Sequence, residues 1–350
     1  MYREAPVAAI VYRGNVVENT HIAHIAVVDA QGRRLCGFGD PSRVTLARSA
    51  AKPAQALAVM ETGALERFGL DDADLALMCA SHNSEARHIQ RALAMLAKSG
   101  AQESDLRCGG HPPISEAVHR TWIKTDFTPT PACSNCSGKH AGMLAAARAI
   151  GEPVQDYHLP QHPLQAHVKR TMADVCALPD DAIQWAIDGC NLPTPAFPLE
   201  RLAFLYARLA DAAGLDDSAA SPRNAALARI YRAMTSHPAL VAGEGRFCTA
   251  LMRAFAGELV GKAGAEACYA IGLRAAGRPG TLPGQGAVGV AVKVEDGNKT
   301  ILYAIVCEIL KRLQIGTAEQ REMLAAFHRP KLLNTRQVET GRIELTFSLE

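Results

Sequence analysis

The sequence predicts an α+β fold in which strands from the two ends of the chain form one mixed sheet and helices occupy the middle. Three observations carry this. Residues 6–40 read as strands separated by tight turns, residues 160–235 carry helical runs broken by proline, and strand-like runs return after residue 280. The expected organisation is a sheet domain from 1–65 and 240–350, and a mainly helical domain over 66–239, packed as one integrated unit. A chain of 350 residues, 48% of them apolar, is long enough for one large domain or two closely packed ones.

In chain order, strands are expected over 7–12, through 25–29 and over 34–38, with turns at Gly14-Asn15 and Ala30-Gln31-Gly32. An Ala-rich helix follows Pro53. The apolar run 75–80 stops at Ser81-His82-Asn83-Ser84, and a helix from about Glu85, with Ile89, Leu93 and Leu96 on one face, ends at Gly100. Residues 100–135 are loop-rich. Further helices are expected over 141–149, 199–213 and 225–234. Residues 287–294 and 301–306 read as two strands joined by a turn at Asp296-Gly297, a hairpin signal, and Thr317-Ala318-Glu319-Gln320 has the form of a capping box that opens a last helix to about Phe327.

Net charge is +2 and no basic block occurs, so no electrostatic footprint for nucleic acid or an anionic membrane is present. The first residues lack a basic segment followed by an apolar core, and no apolar stretch is long enough to span a bilayer. Together these predict a cytoplasmic protein that handles small molecules. Its ten cysteines are then reduced thiols, mostly small buried apolar groups, with any exception reactive or metal-binding.

Arg48-Ser49-Ala50-Ala51-Lys52-Pro53 stands where the strands give way to helix. A serine and a lysine three apart share a helical face, so the amine can reach the hydroxyl and act as base to a serine nucleophile. The ordinary lysine pKa of about 10.4 leaves little neutral amine at pH 7, so such a base needs burial or a neighbouring cation. A capping serine beside a solvated lysine gives the same four letters. Ser81 carries the same two readings, site residue or helix cap.

Cys133 and Cys136 have the spacing of half a zinc site, yet no second pair at finger or ribbon spacing exists, so further ligands have to come from afar, with Cys190 a candidate. Pro131-Ala132-Cys133 lacks the Pro-Cys and His-x-Glu of the zinc deaminases. Gly284-Gln285-Gly286-Ala287-Val288-Gly289 matches a dinucleotide fingerprint by letter but precedes a strand instead of following one. His158, His162 and His167 are split by prolines and form no His-Glu-x-x-His helix.

Ala47-Arg48-Ser49-Ala50-Ala51-Lys52-Pro53, Ser81-His82-Asn83, Asn135-Cys136-Ser137-Gly138-Lys139-His140-Ala141-Gly142-Met143, Asp188-Gly189-Cys190, Val241-Ala242-Gly243-Glu244-Gly245-Arg246 and Gly261-Lys262-Ala263-Gly264-Ala265-Glu266 follow one another in this order. Taken together they resemble the rhizobial-type (class 3, thermolabile) L-asparaginases, the asparaginase II family. The resemblance spans about residues 7–310. It implies a fold like the serine β-lactamases and glutaminases, and hydrolysis of L-asparagine to L-aspartate and ammonia. It implies two Ser-Lys tandems, which map onto Ser49 with Lys52 and Ser81 with Lys262. A zinc site maps onto Cys136, Lys139 and Cys190, with Asp188 and His140 beside it, and no organic cofactor is expected. Arg48, Asn83, His140, Asp188 and Arg246 are the candidates for holding the substrate. Family members are homodimers. Two alternatives share parts of this pattern: another Ser-Lys acyl hydrolase (a glutaminase, an esterase or a β-lactam-recognising enzyme), and a non-catalytic zinc-holding binding protein.

Overall fold

The computed structural model describes residues 5–216, 220–280 and 282–350. They form two compact units: one from the described residues of Met1–Ala50, Phe197–Gly214 and Ala250–Glu350, the other from those of Ala51–Ala196 and Leu215–Thr249.

The first unit is built on an eight-stranded sheet. Strand Val7–Arg13 lies between Glu339–Leu345 and Val16–Asp29, and the sheet continues through Val288–Val294 and Cys268–Leu273 to Leu259–Gly264, with antiparallel pairing at each of these steps. The first and last strands of the chain are therefore neighbours. Arg34–Phe38 pairs with the far half of Val16–Asp29, and Leu332–Leu333 forms the edge beside Glu339–Leu345.

Val288–Val294 is buried at every position, the mark of a strand covered on both faces. Helices Leu199–Ala212 and Lys299–Arg312 both pack against it. Gly289 decides how closely the first approaches, because a Cβ there would lie 1.8 Å from Ala203 O. Leu199–Ala212, which falls inside the 66–239 stretch, thus belongs to the sheet unit.

Two sequence expectations are corrected here. The sheet is not mixed: each pairing among its described strands is antiparallel, as tight turns such as the one between Val7–Arg13 and Val16–Asp29 require. Residues 301–306 are not the second strand of a hairpin; they lie inside helix Lys299–Arg312. Asn298 caps it by accepting from Ile301 N at 3.1 Å, and Ile301, Leu302, Ile305, Ile309 and Leu310 are buried on a helical repeat. A six-residue apolar window hides that longer period. The expected capping box is present at Thr317 and Gln320, but its helix stops at Glu322 and a separate turn, Ala325–His328, follows. The strands Leu259–Gly264, Cys268–Leu273 and Glu339–Leu345 were not foreseen from the sequence.

The second unit is mainly helical. Helix Ser137–Ala149 is its hub: residues 137–147 are buried all round, and helices Lys52–Glu61, Ala64–Phe68, Asp72–Met78, Ala86–Lys98 and Pro163–Cys176 pack on it. Small residues make this possible. A Cβ on Gly138 would stand 2.5 Å from Leu77 O, so only glycine lets the start of the hub meet the end of Asp72–Met78. The stretch expected to be loop also contains helix Glu116–Lys124, capped by Ser115. Strand Gln184–Ile187 pairs with residues 193–196 in a short hairpin. Among the described residues, no helix is long and apolar enough to cross a membrane.

Candidate active site

In the sheet unit, the 3-10 turn Arg48–Ala51 carries Ser49. Arg48 and Ser49 are half-buried, and Arg48 has φ of 49°, a left-handed conformation uncommon outside glycine. Tyr206 OH donates to Ala50 O at 2.8 Å, tying the turn to helix Leu199–Ala212. Strand Leu259–Gly264 runs beside it: Gly264 lies against Ala47 O and Ala50 N, and Lys262, two residues earlier, is buried and donates to Ala263 O at 2.7 Å.

The helical unit brings together the other predicted residues. Lys52 opens helix Lys52–Glu61 and is wholly buried, an arrangement tolerated only when its polar nitrogen has partners. Its Nζ donates to Ala80 O, lies 3.2 Å from Ser81 Oγ and 3.1 Å from Cys136 Sγ. The segment that follows helix Asp72–Met78 supplies Ala80 and Ser81, and the hub helix supplies Cys136 at its N-cap and, one turn on, Lys139. Cys190 comes from the tip of the short hairpin. Asp188 N donates to Leu192 O at 2.9 Å and Asn191 N to Asp188 O at 2.8 Å, a closed loop that presents Cys190 inward. Lys139 Nζ lies 3.1 Å from Cys190 Sγ.

The electrostatics of this cluster are those of thiols sharing protons beside amines. A hydrogen bond from the Cys136 thiol holds Cys190 well below the ordinary thiol range, against the opposing effect of burial and with help from the Lys139 charge. The same bond, together with burial, pushes Cys136 up to about 12. Burial alone would lower Lys139; the negative charge of Cys190, Cys136 and Asp188 outweighs it and raises the amine. His140 is held down at about 3 by burial and the Lys139 charge, so it is neutral. Its Nδ1 meets Tyr157 OH at 2.5 Å, and Tyr157 OH accepts from Arg107 N at 3.0 Å.

Asn83 and Arg246 meet in the same unit. Arg246 donates through Nη1 to Asn83 Oδ1 at 2.9 Å, and Asn83 Nδ2 donates to Glu244 O at 3.0 Å and Glu85 Oε1 at 3.2 Å. Asn83 is thereby occupied in holding the loop that carries Arg246. Asp188 spends one carboxylate oxygen on Gly189 N at 2.8 Å.

Two thiolate-forming sulfurs and an amine are a soft donor set of the kind that holds zinc with three protein ligands and an open position. Among the described residues no group of three His, Cys, Asp or Glu that could hold a metal occurs, so a metal here depends on lysine as the third donor. Cys133 is turned to Thr130 Oγ1, 3.7 Å away. Cys108, which sequence spacing did not single out, bonds Ser134, feels the charges of Cys136 and Cys190, and is pushed up to about 12 chiefly by burial. Tyr157 was also missed, since a lone tyrosine in a loop carries no spacing signal.

A family model described as L-asparaginase II matches residues 9–345. The chain belongs to the L-asparaginase II family. As a member of that family it is a hydrolase acting on linear amides, and the asparaginase II match covers both the Ser49 turn and the Lys52, Ser81, Cys136, Lys139 and Cys190 cluster. Comparison with curated proteins gives no match.

Proposed function

We propose that the protein hydrolyses L-asparagine to L-aspartate and ammonia, with Ser49 as nucleophile and Lys52 as its base. What supports this is membership of an asparaginase family, together with a wholly buried Lys52 amine that directly follows the Ser49 turn in the chain. The Ser49 hydroxyl adds to the side-chain amide carbon while its proton passes to the Lys52 amine. Backbone N–H groups receive the developing oxyanion. The proton then goes to the leaving nitrogen, ammonia departs, and a β-aspartyl ester remains on Ser49. Ser81 and Lys262 form the second tandem and deprotonate the water that cleaves this ester, which returns Ser49 and releases aspartate. Arg48, Arg246 and Asp188 hold the α-carboxylate and α-amine, with Asn83 fixing Arg246.

Cys136, Lys139 and Cys190 would hold a zinc ion, whose charge would help orient the substrate, and His140 and Asp188 flank that donor set. The antiparallel sheet flanked by helices, joined to a separate helical unit, supports a serine β-lactamase/glutaminase-like scaffold. A homodimer completes the reading, and light scattering of the purified protein tests it. Asparagine and glutamine differ by one methylene, worth about 1–3 kcal/mol in a pocket, and family membership favours asparagine.

The test is ammonia release from L-asparagine and L-glutamine by the wild type, Ser49→Ala and Ser81→Ala, with intact mass after mixing. Asparagine turnover lost in Ser49→Ala, and an adduct trapped on Ser49, are expected. Turnover of an ester or β-lactam with none of asparagine would move the assignment to another acyl hydrolase on this scaffold.

A further inference from the structure

Ser81 stands in a segment of irregular backbone between helices Asp72–Met78 and Ala86–Lys98, so side chains have to set its shape. Two backbone N–H groups of the segment end on imidazoles: Ser84 N donates to His82 Nδ1 and Glu85 N to His88 Nδ1, both at 3.1 Å. The other ring nitrogens face Ser137 Oγ at 3.0 Å and Ala239 O at 2.8 Å. Both rings are wholly buried and stack with centroids 4.8 Å apart and planes 5° from parallel. A nitrogen that accepts from an N–H carries no proton, so each ring is neutral with its proton on Nε2. Ser84 itself holds φ of 59°, a conformation that costs a non-glycine residue energy and persists when the surroundings over-determine it. Its hydroxyl donates to Cys133 O at 2.7 Å, while Ser81 N and His82 N donate to Val241 O and Asn135 O.

We propose that His82 and His88 are positioning residues for Ser81: the stacked neutral pair locks the 81–85 turn with Ser81 Oγ facing Lys52 Nζ, and a proton added to either ring releases it. This rests on the reading that Ser81 takes part in hydrolysis. Protonating Nδ1 turns an acceptor into a donor opposed to a backbone N–H, which removes one of the few bonds that hold the turn. The charged groups around the rings set when this happens. His82 is faced by His88, Lys52, His111 and Arg246; burial first, and then the repulsion a second positive charge would meet from any of these that is charged, hold it well below the ordinary histidine range. His88 is faced by Glu85, Glu244 and Arg87, and burial outweighs the carboxylates and keeps it low as well. The turn is therefore intact at neutral pH and opens as pH falls below the range in which a free histidine titrates.

The experiment combines asparagine hydrolysis against pH for the wild type, Ser81→Ala, His88→Ala and His88→Gln with ring 15N shifts of the histidines in the wild type. Both rings are expected neutral with the proton on Nε2 at pH 7, and kcat is expected to fall on acidification together with the first ring protonation. His88→Ala should lower kcat at pH 7 by about tenfold with KM nearly unchanged, because a misplaced group costs rate more than binding. Glutamine is a usual third helix residue that accepts from the capping N–H, so His88→Gln should recover most of that loss and move the acid limb to lower pH. Wild-type kcat and acid limb in His88→Ala, beside an inactive Ser81→Ala, would overturn the proposal alone. So would a charged ring, or a proton on Nδ1, in the wild type at pH 7. Full activity in Ser81→Ala would overturn the reading of Ser81 and the proposal with it.

Discussion

Lys52 Nζ lies 3.2 Å from Ser81 Oγ, and Cys136 Sγ is 3.1 Å from the same nitrogen. A single buried amine thus stands between a serine hydroxyl and a thiol of the proposed zinc set. Lys52→Met keeps most of the volume and removes the amine. It should lower kcat for asparagine by about a thousandfold, within the usual range for loss of a general base, while circular dichroism stays native. An unchanged kcat would remove Lys52 from the mechanism.

Cys136 and Cys190 are the two sulfurs of the candidate metal set, and Lys139 Nζ touches the second at 3.1 Å. Cys190→Ala and Lys139→Ala should each retain far less zinc than the wild type after desalting, as read by elemental analysis. Chelation of the wild type should weaken substrate binding and leave residual turnover, since the proposed nucleophile is a serine. Complete loss of turnover on chelation, restored by zinc, would give the metal a direct part in the chemistry.

Gly243 has φ of 113°, and a Cβ there would lie 2.5 Å from the Asn83 side chain. Gly243→Ala should therefore displace Asn83 and, through the 2.9 Å bond to Arg246, the proposed carboxylate-binding loop. Asn83→Ala reaches the same loop by removing the acceptor. Both should raise KM for asparagine by about tenfold, the scale of one lost hydrogen bond to a charged group, with a smaller change in kcat. Steady-state kinetics decide it.

Asp29, buried at the end of strand Val16–Asp29, accepts from Gln31 N and Arg33 N at 2.9 Å and from Arg33 Nε at 2.7 Å. Burial works to raise its pKa, but these bonds and the Arg33 charge outweigh it and the carboxyl is held below its ordinary range. The folded state therefore binds this proton less readily than the unfolded chain does. Its contribution is present above the ordinary carboxylate pKa and is lost as pH falls through the lower folded value. Asp29→Asn should cost about 2 kcal/mol of stability at pH 7, and the difference in Tm from wild type should shrink as pH falls below about 4.

The opening strands were legible because their turns carry the residues that tight turns need: Gly14 and Gly32 have positive φ and stand in the predicted turns. The helix after Glu85 was legible from its apolar spacing, with His88 in the capping position that glutamate or glutamine usually fills. Strand Val288–Val294 is legible, but its expected partner at 301–306 is helical, since a short apolar run fits either period until the longer stretch and its Asn298 cap are weighed. The pairing of His82 with His88 could not be read, because six residues along the chain the contact depends on an irregular turn.

By itself, the sequence determined the α+β class, the motif order that carries the family, and the residue types of the candidate site, because these depend on local period and chemical identity. Tertiary structure alone decided which partners those residues meet. Lys52 reaches Ser81 and Cys136, 29 and 84 residues away, and Lys139 reaches Cys190, 51 residues away. Such contacts follow from how closely a buried helix of small residues lets its neighbours approach, and no local pattern encodes that distance.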